Sequence, residues 1–184
     1  MRLAFKHNKS DVVLLLKKKD SVAQKTFYEQ NVGKFLSVSK AYVSDIFYAE
    51  DCTIKAFCKI FNQIENFRSE GSFDGWCRRI VVNECLNFIK TRKNLLFFDD
   101  TNQQFEEITE DDISDYDFNA QDLLDQLPEA YRMVFNLHIL EDYSHQQIAE
   151  LLNITVSTSK TQLFRAKQKL KDIYVNQKIR KNEI

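Results

Sequence analysis

The stretch Tyr143-Ser144-His145-Gln146-Gln147-Ile148-Ala149-Glu150-Leu151-Leu152-Asn153-Ile154 contains a helix start and a helix stop twelve residues apart or less. Ser144 and Gln147 have the spacing of a capping box, in which a hydroxyl and an amide satisfy each other's backbone N–H groups. Asn153 tolerates the left-handed conformation that ends a helix. Thr155, Ser157 and Thr158 then offer hydroxyls to cap a following helix, whose inner face is Leu163, Ala166, Leu170 and Ile173. The intervening turn is only about three residues, Leu152 to Ile154, and the small Ala149 suits a steep crossing. Together these features predict a helix-turn-helix over Ser144–Lys171.

The second helix of the motif is expected to expose Ser157, Thr158, Lys160, Thr161, Gln162, Phe164 and Arg165, with Lys167, Lys169 and Lys171 trailing. Hydroxyls, an amide, cations and one aromatic are the side chains that read base edges in a major groove, and lysines meet phosphates. The same pattern also fits a plain helical hairpin with solvated lysines. Upstream, Pro128 is tolerated only in a first helical turn, so a helix is predicted from there to about Leu140.

Residues 95–120 hold nine acids and no base, without sustained periodicity, and read as an acidic linker. On its N-terminal side residues 1–94 carry 17 Lys/Arg against 10 Asp/Glu, so a net charge of −1 conceals strong segregation. Basic faces attract polyanions and an acidic tract repels or mimics them. Ala49, Cys52, Ala56, Phe57, Ile60, Phe61 and Ile64 form an apolar stripe within a helix predicted over Ala41–Phe67. Gly71 and Gly75 mark a break, with Ser72 as N-cap of another amphipathic helix. Phe73, Trp76, Cys77, Ile80, Val81, Cys85, Phe88 and Ile89 are its apolar face, and Arg79, Asn83, Asn87 and Lys90 lie off it. One or two further helices are expected over Leu14–Phe35.

Three Gly and one Pro in 184 residues argue against an all-β chain, which needs frequent turns. The expected fold is all-α: an N-terminal helical bundle over 10–94, the linker over 95–120, and a C-terminal helix-turn-helix domain over 121–178. Cys52, Cys58, Cys77 and Cys85 form no CxxC pair and fit buried reduced thiols better than metal ligands. His7, His138 and His145 are scattered, without ligand spacing. No glycine-rich phosphate loop or convergent carboxylate set is present, so no catalytic site, metal or cofactor is expected. The apolar run Val12–Leu16 is short and followed by three lysines, and nothing approaches the roughly 20 apolar residues that span a bilayer. A cytoplasmic chain without membrane insertion is expected.

Leu127-Pro128-Glu129-Ala130-Tyr131-Arg132-Met133-Val134-Phe135, Tyr143–Leu152 and Val156–Lys167 resemble the promoter-binding C-terminal domain of extracytoplasmic-function sigma factors. Ala49-Glu50-Asp51 with its stripe, and Phe73-x-x-Trp76-x-x-Arg79-Ile80-x-x-Asn83, resemble that family's N-terminal domain. The likeness implies that RNA polymerase core is a partner, docked through its clamp coiled coil on the helix bearing Glu50, Asp51, Ile54, Lys55 and Lys59. It implies −10 contacts from Phe67, Arg79, Asn83, Lys90 and Arg92. It implies −35 contacts from Ser157, Thr158, Lys160, Thr161, Gln162, Phe164, Arg165 and Lys167.

Phe67 suits either base stacking or the core, while Phe73 and Trp76 suit the core. The linker suits either a polymerase channel or a solvated tether. Family members are commonly held inactive by an anti-sigma factor, a further expected partner. The chain departs from the family pattern at Ile54-Lys55, where Gln-Glu is usual, and at Ser157 and Ser159, which replace Gly and Val. It departs again at Gln162 and His138, where Arg is common. The competing reading is a helix-turn-helix regulator that binds DNA without docking on polymerase.

Overall fold

Side-chain caps, rather than glycine or proline, set most helix starts in this chain. In a computed structural model describing residues 9–68, 70–92 and 120–182, Asp20 accepts from the N–H of Ala23 at 2.8 Å. Asp45 accepts from Phe47 and Tyr48, and Ser72 from Gly75. Each cap satisfies N–H groups that the first helical turn leaves without partners. Among the described residues the regular structure is eight α-helices, one 3-10 turn and one π-helical turn, with no strand. The chain divides into two compact units, Met1–Lys93 and Asn94–Ile184.

The first unit contains α1 (Lys9–Lys17), α2 (Ser21–Tyr42), α3 (Ile46–Gln63), a 3-10 turn (Ile64–Asn66) and α4 (Phe73–Arg92). The single helix expected over Ala41–Phe67 is broken at its start. Ala41 and Tyr42 finish α2, and Asp45 begins α3. The predicted stripe is buried apart from half-buried Phe61: Ala49, Cys52, Ala56, Ile60 and Ile64 are fully inaccessible and Phe57 nearly so. α3 and α4 pack on each other and both pack on α2. Phe27 sits where these helices meet, with its ring centroid 5.6–6.3 Å from those of Phe35, Phe57, Phe61 and Phe73. Tilted and edge-on aromatic pairs at such spacings add to the burial of large apolar surfaces.

α4 is buried over a wider arc than the sequence suggested, because Val82 and Leu86 are also enclosed. Contact with two helices instead of one accounts for this. The thiols of Cys52, Cys77 and Cys85 are buried and reduced. Cys58 is exposed, because it falls on the outer side of α3 away from the stripe. Burial pushes the Cys77 thiol up to about 12.

The second unit contains α5 (Ala120–Leu124), α6 (Glu129–Phe135), a π-helical turn (Asn136–Leu140), α7 (His145–Leu152) and α8 (Val156–Asn182). Residues 95–119, most of the acidic linker, lie outside the described residues. Pro128 takes the cap position of α6, and the helix predicted to Leu140 widens into the π turn at Asn136. α8 packs against α5, α6 and α7. Leu124, Leu127 and Ala166 form a core with Tyr131, Phe135 and Leu170 against it. Arg132 is buried 3.4 Å from Asp125 Oδ1. Burial lowers its pKa, opposed by the charges of Asp125 and Glu129.

Candidate nucleic-acid interface

In the second unit the helix-turn-helix is assembled by the devices visible in the sequence. Ser144 N–H donates to Gln147 Oε1 at 2.8 Å and Gln147 N–H donates to Ser144 Oγ at 3.2 Å, closing the capping box. Asn153 ends α7 at φ 55° and ψ 50°, and the N–H of Ile154 donates to Ala149 O at 3.0 Å. Thr155 Oγ1 accepts from the N–H of Thr158 at 2.9 Å and so caps α8. Ile148, Ala149 and Leu152 from α7 are buried, as are Leu163 and Ala166 from α8.

The outward residues of α8 differ from the expected set. Ser157, Lys160 and Lys167 are exposed, and Phe164 and Arg165 are half-buried. Thr158, Thr161 and Gln162 are buried, at 4 %, 3 % and 1 % exposure, which corrects the expectation that they face solvent. Thr158 turns inward onto the capping hydroxyl, its Oγ1 lying 2.7 Å from Thr155 Oγ1. Gln162 precedes Leu163 and lies four residues before Ala166, on the edge of the packed face. Lys160, Lys167, Lys169 and Lys171 are exposed and form no ion pair with an acid among the described residues.

The histidines are less scattered than the sequence suggests. The rings of His138 and His145 stack at 4.5 Å with 15° between their planes. His138 Nδ1 lies 2.8 Å from Tyr143 O, and His145 Nδ1 lies 2.9 Å from Ser159 Oγ. Burial, His138 and Lys160, in that order, lower the pKa of His145.

In the first unit, α4 presents Trp76, Arg79, Asn83, Asn87 and Lys90 on one face. At 100° per residue they fall within an arc of about 80°. Arg79, Asn87 and Lys90 are exposed, and Asn83 and Trp76 are half-buried. Trp76 thus heads the polar stripe, although the sequence placed it on the apolar face. The side chain of Arg92 lies outside those described.

Phe67, open between base stacking and core in the sequence, is buried at 6 % exposure. Its ring centroid lies 5.1 Å from that of Phe73 and 5.6 Å from that of Trp76, and Lys17 Nζ donates to its carbonyl at 3.0 Å. It therefore anchors the base of the loop that follows. The loop itself exposes Arg68, Glu70, Gly71 and Ser72, with Gly71 at φ 100°, a conformation that glycine adopts without strain.

α3 carries a second outward face. Phe47 is 75 % exposed and Ile54 53 %, flanked by exposed Glu50 and half-buried Asp51. Lys55 pairs with Asp51 at 2.6 Å, so the Ile54-Lys55 departure brings its own compensating acid. Lys59 bonds Glu84 of α4, which makes it a tie between helices instead of part of the open face. Sequence reasoning missed Phe47. Its spacing, three residues before Glu50 and seven before Ile54, was the available signal.

A capped helix-turn-helix with exposed lysines, together with a second helical unit bearing a basic and amide stripe, defines a DNA-binding protein. The chain matches the family model described as Sigma-70 region 2 over residues 27–94 and that described as Sigma-70, region 4 over residues 118–170. It is 28% identical over 133 residues to RNA polymerase sigma factor SigV of Bacillus subtilis, covering 72% of this chain and 79% of that protein. It is 25% identical over 170 residues to ECF RNA polymerase sigma factor SigW of Bacillus subtilis, covering 85% and 91%. The sigma factor RpoE, solved with the anti-sigma factor NepR from Bartonella quintana, has a TM-score of 0.50 at 16% identity, covering 82% of this chain and 95% of that one. The chain belongs to the extracytoplasmic-function branch of the sigma-70 family.

Proposed function

We propose that the chain works as a sigma factor whose two units divide the labour of promoter recognition. It binds RNA polymerase core and directs initiation at promoters, with residues 10–94 serving core binding and the −10 element and 121–178 serving the −35 element. The observation that carries this reading is the matched pair of region 2 and region 4 in one chain, each with an outward face suited to its task.

In the first unit the open face of α3, with Phe47 and Ile54 between Glu50 and Asp51, is the polymerase-docking surface. Apolar side chains rimmed by charge suit a protein partner better than a phosphate backbone. The α4 stripe of Arg79, Asn83 and Lys90, beside the loop anchored by Phe67, contacts the −10 element. Cations hold the strand while amides and an aromatic edge engage unpaired bases. In the second unit Ser157, Lys160 and Lys167 meet the −35 duplex directly, with Phe164 and Arg165 partly available. Buried Thr158, Thr161 and Gln162 shape the helix behind them.

No step of this activity requires a catalytic group or a cofactor of the chain's own. Among the described residues no helix is long and apolar enough to cross a membrane. Work on polymerase and chromosomal DNA places the protein in the cytoplasm. An anti-sigma factor is a natural inhibitory partner for the same surfaces.

Reconstitution tests the reading. Purified protein added to bacterial core polymerase is expected to start transcription at discrete sites on genomic DNA, where neither component alone does so. A protein that binds duplex DNA but neither co-purifies with core nor redirects its start sites would instead be a helix-turn-helix regulator.

A further inference from the structure

α1 carries none of the residues on the α3 face or the α4 stripe, yet it packs on the 3-10 turn that leads into the loop before α4. Its last residue, Lys17, is half-buried, with its amino group on the carbonyl of Phe67. The other two handles of Phe67 are also held. Its N–H donates to Ile64 O at 3.1 Å, and its ring is buried against Phe73 and Trp76. The Phe67 carbonyl and the Arg68 N–H belong to one planar peptide unit, so fixing the carbonyl fixes the direction in which the loop departs.

At the far end Ser72 is held in turn. Its carbonyl accepts from Trp76 N–H at 2.9 Å and its hydroxyl from Gly75 N–H at 3.3 Å. Four residues, 68 to 71, join these two clamps. A connection this short takes its path from the orientation of its ends, and one of those ends is set by Lys17.

We propose that Lys17 is a positioning residue for −10 recognition, acting through the Phe67 carbonyl to aim loop 68–72 at an unpaired base. This role rests on the −10 reading proposed for the first unit. A site that reads an extruded base by hydrogen bonds must hold its groups to within about 0.5 Å and 10–20°. Rotation of the peptide after Phe67 displaces every later atom of the loop, so losing the Lys17 bond loosens that geometry without removing a DNA contact.

Such a residue differs in its effect from the cations of the α4 stripe. Removing a lysine from a phosphate weakens all sequences alike, whereas releasing a base-reading loop changes which sequence is preferred.

Three variants of the intact chain test the role. Lys17→Met keeps the aliphatic stem and deletes the donor, and Lys17→Arg keeps a charged donor. Thr53→Val is the control: Thr53 Oγ1 lies 2.8 Å from Ser39 Oγ between α3 and α2, about three helical turns before the 3-10 turn. It loses a buried hydrogen bond away from the loop. Each protein is combined with bacterial core polymerase on genomic DNA, start sites are mapped, and base preference is read at each −10 and −35 position.

Lys17→Met is expected to flatten the preference at one or more −10 positions by roughly fivefold or more, the scale of one mismatched base pair. Its −35 preference and capture of core should be unchanged. Lys17→Arg should recover the preference in part, and Thr53→Val should keep the wild-type pattern.

Three outcomes overturn the inference. An unchanged −10 preference in Lys17→Met would show that the bond does not aim the loop. An even loss of initiation over all start sites would make Lys17 a plain phosphate contact. Equal flattening in Thr53→Val would make the effect one of stability alone. In all three the wild-type chain still gives discrete starts, so the sigma-factor reading stands. Absence of discrete starts with the wild-type chain overturns that reading and this inference with it.

Discussion

Lys17, the last residue of α1, donates its amino group to the carbonyl of Phe67 at 3.0 Å across fifty positions of sequence. This bond fixes the point where the 3-10 turn gives way to the loop before α4, while Phe73 and Trp76 hold the Phe67 ring from the far side of the same loop. A hydrogen bond from a charged donor in a part-buried setting contributes about 1–2 kcal/mol after solvent screening. Lys17→Met is therefore expected to reduce the stability of the first unit by that order, seen as a lower urea midpoint, with Lys17→Arg recovering part of the loss. Urea unfolding followed by Trp76 fluorescence measures both, and equal midpoints for Met and Lys would show that the bond contributes nothing.

The two outward residues of α3 separate docking from folding. Phe47 and Ile54 are too exposed for the folded chain to depend on them, so Phe47→Asp and Ile54→Asp should leave the helix content and melting temperature unchanged. Each should weaken capture of core polymerase by roughly tenfold or more, because burying a carboxylate in an apolar contact is costly. Lys59→Met should behave in the opposite way. It breaks the tie to Glu84 and reduces stability by about 1 kcal/mol while leaving core binding intact. A pull-down with immobilised core, paired with thermal melting of the same variants, reads both columns of this comparison.

Much of this arrangement was legible in the sequence wherever one residue decides one local event. Ser144 with Gln147, Asn153 and Ser72 each act through their own backbone neighbourhood, and the structure places them as read. The apolar stripe of α3 was equally plain, because its buried positions recur at three and four residues along the helix. Less legible were features set by a partner distant in sequence. Phe67 could be assigned to the core only once Lys17 and Trp76 were seen around it. Val82 and Leu86 look peripheral until α4 is flanked by two helices. Periodicity alone could not show that α6 widens into a π turn, and without that turn the stacking of His138 on His145 has no visible cause.

The division of α8 into outward and enclosed residues predicts opposite phenotypes for substitutions only two positions apart. Lys160→Ala removes one exposed cation, so duplex binding should weaken, the slope of log affinity against log salt should flatten by about 1, and melting should be unchanged. Gln162→Arg, which restores the residue common in the family, should not strengthen DNA binding. At 1 % exposure the longer guanidinium has no room and is expected to destabilise the second unit by about 1–3 kcal/mol. Fluorescence anisotropy over a salt series and amide exchange in α8 distinguish the two.

Asn153 provides a backbone test of the helix-turn-helix. Its φ of 55° suits Gly and Asn but strains a residue with an ordinary Cβ. Asn153→Ala should cost about 1 kcal/mol, seen as faster amide exchange across α7 and the start of α8, whereas Asn153→Gly should be close to neutral. Equal losses for both variants would mean that the side chain, and not the backbone conformation, holds the turn.

The second unit should also lose stability as the solution is acidified, beginning near the ordinary histidine pKa. In the unfolded chain His145 titrates around the reference value of 6.5, while in the folded chain burial, His138 and Lys160 depress it. Between those two pKa values the unfolded state binds more protons, so stability falls with falling pH. The contribution is complete above pH 6.5 and is drained as pH drops through the depressed folded value. Amide exchange of α7 and α8 in the intact chain should therefore be flat from pH 8 to 7, after correction for intrinsic rates, and should show lower protection by pH 5.5. His145→Gln keeps a hydrogen-bonding amide near Ser159 but does not titrate, so the decline should largely vanish in that variant. Working at or above pH 5.5 keeps most carboxylates ionised and out of the comparison. An undiminished decline in His145→Gln would assign the acid sensitivity to another group.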